Sequence, residues 1–128
     1  MLLSLDFLYT PSDDVDRAVA GWVEGLGAVL EWRIEAGGSV VAAVRVAGGG
    51  PLVLFADHLE GDGPIAIYRV ADFASAVERM RAAGARDVRE VEIPPGPCAT
   101  FSLLGARLGV YALTRPGAAE HLTGRGTL

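Results

Sequence analysis

The two histidines and the single cysteine are the side chains of this sequence that most often take part in chemistry. His58 lies among three carboxylates, Asp57, Glu60 and Asp62, which could together hold a cation. Their spacing does not match a calcium-binding loop, so a solvated loop is the simpler interpretation, with His58 as an alternative acid or base near neutral pH. Cys98 has no evident His or Arg cluster to stabilise a thiolate, and we expect it to be a small buried side chain.

Motifs for phosphate binding and for hydrolysis are missing from the sequence. The Gly48–Gly50 run lacks the spacing of a dinucleotide-binding loop and does not open a helix, so it indicates a turn. Ser102 is not framed by glycines as a hydrolase nucleophile would be, and no base is evident for it. His121 falls near the C-terminus, where we expect a surface role. The sequence therefore assigns no catalytic residue and disfavours nucleotide binding.

Composition and charge limit the classes of protein that remain. The chain has 128 residues, of which 51% are hydrophobic and 21% charged, so a single compact domain is expected. Eleven arginines, no lysines and sixteen acidic residues give a net charge of -5, which disfavours nucleic acid as a partner. The N-terminus lacks the features of a signal peptide, and no apolar run is long enough to cross a membrane. With a single cysteine, a cytoplasmic protein without disulfides is expected.

Two segments have the periodicity of amphipathic helices. The first is expected to begin with Ser12 as its N-cap and to end at Gly25 or Gly27. The second is expected to begin at Asp72 and to end at Gly84. Each has apolar residues on one stripe, which predicts packing against a sheet. The stripes are Val15, Ala18, Val19, Trp22, Val23 and Leu26 in the first segment, and Phe73, Ala76, Val77, Met80 and Ala83 in the second.

Short segments of strand-forming residues surround these helices and are separated by Gly and Pro clusters. Shifting the sequence by 58 residues places Asp14 on Asp72 and Val19 on Val77, and it also superposes a strand, a cap and a helix end. A duplicated βαβββ module is the simplest account of this agreement. The predicted strands are 3–9, 28–34, 39–46, 51–56, 65–70, 87–92, 98–103 and 107–113.

A strand, a capped helix and three strands, repeated within one short chain, resemble the vicinal oxygen chelate superfamily of glyoxalases, bleomycin resistance proteins and ring-cleaving dioxygenases. The resemblance covers nearly the whole chain up to Pro116. It is carried by Leu5–Phe7 leading to Ser12–Ala18, by Ile65–Phe73 and by Gly105–Tyr111.

The resemblance implies an α+β fold. In it, two βαβββ modules form an open, incompletely closed eight-stranded barrel with the helices on its outer face. A single domain would span 1–116, with modules at about 1–58 and 59–116, and a tail would follow at 117–128. The resemblance also implies a homodimer.

Enzymes of this superfamily commonly hold a divalent metal with His and Glu side chains inside the barrel, and a metal needs about three such ligands. The resemblance places Phe7, Ile65 and Gly109 at three of the four metal positions. Val53 falls at the fourth, with an uncertainty of one residue. Since none of these side chains can donate an electron pair, we expect no metal and no other cofactor.

If the superfamily geometry holds, alternation along the strands turns one set of side chains toward a pocket. That set would be Leu5, Phe7 and Tyr9; Val53, Phe55 and Asp57; Ile65, Ile67 and Arg69; and Arg107, Gly109, Tyr111 and Leu113. Aromatic rings could stack on a planar ligand while a few polar groups orient it. The predicted ligand-binding residues are Phe7, Trp32, Phe55, Asp57, Ile67, Arg69 and Tyr111.

Plain structural roles compete with these assignments. Phe7, Ile65 and Ile67 could simply fill a core, and Arg69 and Arg107 could be solvated or lie in a dimer interface. Trp32 could stack on a ligand or meet a partner subunit. We expect Trp22 and Tyr68 to belong to the core beneath the helices.

The leading functional hypothesis is a small-molecule-binding protein similar to metal-free bleomycin resistance proteins, which sequesters an apolar or aromatic compound. The negative net charge would attract a basic compound. One alternative is a lyase or dioxygenase-like enzyme of the same superfamily with a non-standard or metal-free site. Another is an interaction domain whose pocket has closed. No nucleic acid and no membrane are expected as partners.

Overall fold

A computed structural model of the chain describes residues 1–46, 48–61 and 63–115. Within these ranges, eight strands and two helices follow one another in two βαβββ groups. No described helix has the length and apolar character needed to cross a membrane. The predicted tail at 117–128 lies outside the described residues. The elements are β1 (Leu2–Pro11), α1 (Val15–Leu26), β2 (Val29–Ala36), β3 (Ser39–Arg45), β4 (Leu52–Ala56), β5 (Ile65–Val70), α2 (Phe73–Ala82), β6 (Arg86–Ile93), β7 (Gly96–Leu103) and β8 (Ala106–Ala112).

Helix α1 is capped by Asp14, so the expected cap at Ser12 was wrong. The Asp14 carboxylate accepts a hydrogen bond from the backbone N–H of Arg17 at 3.1 Å, which satisfies one of the free donors of the first turn. The backbone N–H of Ser12 instead donates to the carbonyl of Ala56 at 3.0 Å. The helix ends at Gly27, one of the two glycines expected there, whose φ of 72° lies in the left-handed region.

Helix α2 begins as the sequence predicts. The Asp72 carboxylate accepts a hydrogen bond from the backbone N–H of Ser75 at 3.1 Å. Ala83 caps the C-terminal end, and Gly84 follows with a φ of 102°. Two arginines in the last turn place positive charge at the negative end of the helix dipole.

The chain divides into two compact units. The α1 unit comprises residues 7–64, and the α2 unit comprises residues 1–6 together with the described residues from 65 onward. The strand order is β2-β3-β4-β1 in the α1 unit and β5-β8-β7-β6 in the α2 unit. Each unit contains one parallel pair, β1 with β4 and β5 with β8, and its other pairs are antiparallel.

The expected α+β class is confirmed, as are the two βαβββ groups. Each group contributes its own four-stranded mixed sheet. The module boundaries at about 1–58 and 59–116 stay a prediction. In the structure, residues 1–6 group with the later half of the chain.

In each unit, one face of the sheet packs against the unit's helix. The buried residues of the α1 core are Val15, Val19, Ala28, Ala42, Val44, Val53 and Phe55, with Trp22 packed against them. Those of the α2 core are Val70, Ala76, Val77, Ala99, Phe101 and Val110. Because side chains alternate along a strand, the residues between these core positions lie on the other face of the sheet, which we call the far face of each unit.

Candidate functional site

The far face of the α2 unit is arranged in rows across three neighbouring strands. Arg69 of β5 pairs with Tyr111 of β8, and Tyr111 pairs with Cys98 of β7. The next row consists of Ile67, Gly109 and Thr100. Alternation from Val70, Ala99 and Val110, which face helix α2, places both rows on the far face. This is the face that the sequence predicted for Ile67, Arg69 and Tyr111.

In this second row, the side chains of Ile67 and Thr100 cover the backbone at Gly109. A Cβ atom built on Gly109 would lie 3.2 Å from the Cδ1 atom of Ile67 and 3.4 Å from the Cγ2 atom of Thr100. It would also lie 3.2 Å from the carbonyl oxygen of Ala99. The position that the resemblance assigns to a metal-binding Glu is therefore closed to a larger side chain unless its neighbours move.

The Tyr111 hydroxyl donates a hydrogen bond to the Asp6 carboxylate, which joins strand β8 to the first residues of β1. The second carboxylate oxygen of Asp6 accepts a hydrogen bond from the Ser4 hydroxyl at 2.6 Å. Burial and the hydrogen bond to Asp6 raise the pKa of Tyr111 above its ordinary value. Tyr111 therefore stays protonated at neutral pH and acts as a hydrogen-bond donor.

Arg69 is the least satisfied group of this face. Its Nε atom is buried, and no hydrogen-bond partner for it exists among the described residues. A buried donor without a partner costs about 1–3 kcal/mol, and more when the group is charged. Solvation, which the sequence left open as a role for Arg69, does not apply to this buried atom. The geometry therefore leaves Arg69 with a donor for an acceptor that the described chain does not supply.

Cys98 is buried, as the sequence predicts, with 2% of its surface exposed. Burial raises the pKa of the Cys98 thiol to about 12. The side chain is therefore a neutral thiol and a poor nucleophile at neutral pH.

In the α1 unit, the structure contradicts the predicted face of Val53 and Phe55. Both side chains belong to the core beneath helix α1. The rings of Phe55 and Trp22 meet edge to face, with centroids 5.6 Å apart. Strand β4 is buried along its whole length, so its sequence carries no apolar-polar alternation to reveal which side chains face the helix. We exclude Phe55 from the candidate site.

Phe7 and Trp32 lie on the far face of the α1 unit. Phe7 pairs with Leu52, the neighbour of the core residue Val53, and is 5% exposed. The neighbour of Trp32 in sequence, Arg33, forms an ion pair with Asp16 of helix α1 and so marks the helix side of strand β2. Trp32 is 6% exposed within its own chain, and its indole N–H is buried without a partner among the described residues.

Asp57 and His58 follow strand β4 on the surface of the α1 unit. The Asp57 carboxylate accepts a hydrogen bond from the backbone N–H of Val40 at 3.0 Å, so it holds the start of β3 beside the end of β4. The Nε2 atom of His58 lies 3.4 Å from the Tyr9 hydroxyl. These contacts describe a surface turn, and the role of Asp57 in orienting a ligand stays a prediction.

The residues at the metal positions implied by the resemblance do not fit a metal ion. Phe7, Ile65 and Gly109 have no donor atoms in their side chains. The fourth position moves from Val53, which faces the helix, to Leu52 or Leu54, which are also apolar. Across residues 1–46, 48–61 and 63–115, no group of three or more His, Cys, Asp or Glu side chains is placed to hold a metal.

Asp6 is the site residue that the sequence argument missed. It was noted only as part of a strand motif, whereas in the structure it accepts the hydrogen bond of Tyr111 from 105 positions away. A carboxylate between the apolar residues Leu5 and Phe7 of a strand was the available signal, because such a group needs a partner when it is partly buried.

No protein-family model and no curated protein sequence matches the chain. Solved structures do match. The methylmalonyl-CoA epimerase of Mycobacterium tuberculosis has a TM-score of 0.70 at 18% identity, over 92% of this chain and 93% of that one. A variant of the Streptomyces coelicolor methylmalonyl-CoA epimerase, in complex with 2-nitronate-propionyl-CoA, has a TM-score of 0.69 at 14% identity, over 89% and 96%.

A hypothetical protein from Bacillus halodurans is similar to the same degree, with a TM-score of 0.70 at 12% identity, over 88% of this chain and 95% of that one. Identities this low leave the chemistry of the site open. What they establish is the arrangement of the backbone over most of the chain. The chain therefore has the fold of the vicinal oxygen chelate superfamily.

Proposed function

We propose that this protein binds a small organic molecule with an apolar or aromatic body, without the help of a metal ion. The observation that carries the proposal is the buried Nε atom of Arg69, which has no partner among the described residues. It lies on a strand whose other far-face side chains, Ile65 and Ile67, are apolar and buried. Ligand sites commonly combine such an apolar wall with a few oriented polar groups.

The absence of donor side chains supports the metal-free part of the proposal. Phe7, Ile65 and Gly109 cannot coordinate an ion, and Ile67 and Thr100 cover Gly109 closely. A ligand held at this face would therefore be recognised by apolar contact, by Arg69 and by the Tyr111 hydroxyl. Sequestration of a toxic compound, as in bleomycin resistance proteins, is the role that we favour for such binding.

We also propose a cytoplasmic homodimer. The dimer is supported by exposed apolar side chains around the start of the edge strand β2 in the α1 unit, because exposed apolar patches commonly mark interfaces. These residues are Leu26, Val29, Leu30 and Val46. The cytoplasmic location rests on the single cysteine, which forms no disulfide within the chain.

A second candidate function is an enzyme that acts on an acyl thioester. Its support is the likeness to methylmalonyl-CoA epimerases, one of which is described in complex with methylmalonyl-CoA. Incubation of this protein with methylmalonyl-CoA in D₂O tests this candidate, since an enzyme that removes the proton next to the carbonyl would exchange it for deuterium. Deuterium incorporation above that of buffer alone would favour the enzyme.

The binding proposal is tested on protein treated with EDTA and dialysed. The probes are octanoate, 3-phenylpropionate and indole-3-acetate, each with its neutral amide. We expect at least one probe to raise the Tm by several degrees, because a ligand at 100 times its Kd stabilises the native state by about 2.7 kcal/mol. The same series is repeated after addition of Zn²⁺, Ni²⁺ or Mn²⁺. The proposal is overturned if no probe raises the Tm, or if a probe does so only when a metal has been added.

A further inference from the structure

The hydrogen-bonding chemistry of Arg69 limits the acceptors that could satisfy its buried Nε atom. Guanidinium groups stay charged in proteins, and their N–H groups can only donate hydrogen bonds. The Nε atom of Arg69 is buried, and within the described ranges Arg69 forms no ion pair. A neutral acceptor would satisfy its hydrogen bonds, whereas an anionic acceptor would also balance its charge.

Asp6 carries a charge near the same hydroxyl group as Arg69, but among the described residues the two form no ion pair. Asp6 acts as acceptor to Tyr111 through one carboxylate oxygen and to Ser4 through the other. Burial and Asp6 raise the pKa of Tyr111, while the charge of Arg69 opposes them more weakly, which indicates that both charges lie near the hydroxyl. The Tyr111 hydroxyl and the Cys98 thiol are neutral at physiological pH.

We infer that the ligand carries a carboxylate group and that Arg69 binds it. This inference rests on the proposed function and specifies its ligand class. A carboxylate is planar and can accept two parallel hydrogen bonds from a guanidinium. A single cation balances a monoanion, whereas a dianionic phosphate would keep a second, unbalanced charge that the negative charge of Asp6 repels.

An anionic ligand is opposite in charge to the basic compound that the negative net charge of the protein would attract. A charge of -5 repels anions at long range. At an ionic strength of 0.1 M, however, such repulsion between exposed charges is largely screened beyond about 10 Å. A contact with the buried Nε atom of Arg69 is screened much less, so this local cation determines which ligand is selected.

The test compares matched ligands on the full chain. The affinities of octanoate and 3-phenylpropionate are measured by calorimetry beside those of octanamide, 3-phenylpropanamide and 3-phenylpropyl phosphate. The carboxylate of each pair should bind at least tenfold more tightly than its amide and more tightly than the phosphate. R69Q should weaken carboxylate binding at least tenfold and leave amide binding unchanged. R79Q, which alters an exposed arginine of helix α2 on the other side of the sheet, should change neither.

Each remaining outcome has a definite meaning. Equal binding of acid and amide to the wild-type chain, or tighter binding of the phosphate, overturns the carboxylate assignment and leaves the proposed function standing. If R69Q and R79Q lose equal affinity for the acids, the net charge of the protein rather than Arg69 determines their binding, which also overturns the carboxylate assignment. The comparison of acid with amide needs only the wild-type chain, so misfolding of R69Q would not obscure the result. If neither acids nor amides bind, the proposed function itself has failed.

Discussion

The two units of this protein share an order of elements and differ in the far face of the sheet. In the α1 unit, this face carries Phe7, Trp32, Leu52 and Leu54. Its buried donor that lacks a partner within the described ranges is the neutral indole N–H of Trp32. In the α2 unit, the face combines Ile65 and Ile67 with a charged donor on Arg69. There, the Tyr111 hydroxyl is bound to the Asp6 carboxylate.

This difference shows that a repeated backbone does not carry a repeated chemistry. The helix-side cores of both units are apolar and similar in character, because each must bury the stripe of its helix. The far faces do not pack against a helix, so the residue types on them can differ between the units. The far face of the α2 unit contains a buried donor of Arg69 without a partner among the described residues, and this is the feature on which the proposed binding function rests.

The largest change in the free energy of unfolding is expected for a substitution in the helix-side core of the α1 unit. Replacing Phe55 by Ala removes the ring that packs on Trp22, and we expect the free energy of unfolding to fall by about 3–5 kcal/mol in urea titrations. Phe55→Leu should cost only about 1 kcal/mol, because it keeps most of the apolar volume. If Phe55 belongs to the core alone, Phe55→Leu binds carboxylate probes like the wild type. If the Phe55→Leu protein folds but no longer binds the carboxylate probes, Phe55 contributes to the binding site and the core-only assignment is wrong.

A smaller effect is expected from the polar far face of the α2 unit. Tyr111→Phe removes the hydrogen bond to a charged carboxylate, and its expected cost is about 1.5–3 kcal/mol. The matched control is Tyr68→Phe, since no hydrogen bond of the Tyr68 hydroxyl is found in the described ranges, and its expected effect is within about 0.5 kcal/mol. Equal costs for the two variants, measured by urea unfolding, would mean that the contact with Asp6 adds no stability.

The same hydroxyl predicts a dependence of stability on alkaline pH. The pKa of Tyr111 is raised in the folded chain, so above pH 10 the unfolded chain loses this proton before the folded chain does. Tyr111 therefore stabilises the fold fully below pH 10, and this contribution is lost as the pH rises toward the folded pKa. Unfolding measured at pH 9 and pH 11 should show a steeper loss of stability in the wild type than in Tyr111→Phe.

The smallest effect concerns helix α1, whose interior contains glycine where α2 has none. A Cβ atom on Gly21 would meet nothing within 4 Å, and Gly21→Ala should therefore raise the free energy of unfolding by about 0.5–1 kcal/mol. The control is Gly27→Ala at the left-handed cap, which should lower it by about 1 kcal/mol. If Gly21→Ala raises the free energy of unfolding and Gly27→Ala does not lower it, the left-handed cap at Gly27 is contradicted.

Much of the fold could be predicted from local signals. The two helices, the eight strands, the cap at Asp72 and the ending at Gly27 follow from periodicity and from the conformational preferences of Asp and Gly. The cap at Asp14 was missed because Ser12, Asp13 and Asp14 are all good N-cap residues, and local preference cannot choose among them. Strand β4 was assigned to the wrong face because both of its faces are apolar and alternation cannot distinguish them.

By itself, the sequence determined the α+β pattern, the repeat and the lack of metal-binding side chains at Phe7, Ile65 and Gly109, since these depend on residue types and on spacing along the chain. Only the tertiary structure decided that Tyr111 donates to Asp6 and that the buried Nε atom of Arg69 has no partner in the described part of the chain. Such facts depend on which groups meet across strands, and pairing between residues 105 positions apart leaves no periodic trace in the sequence.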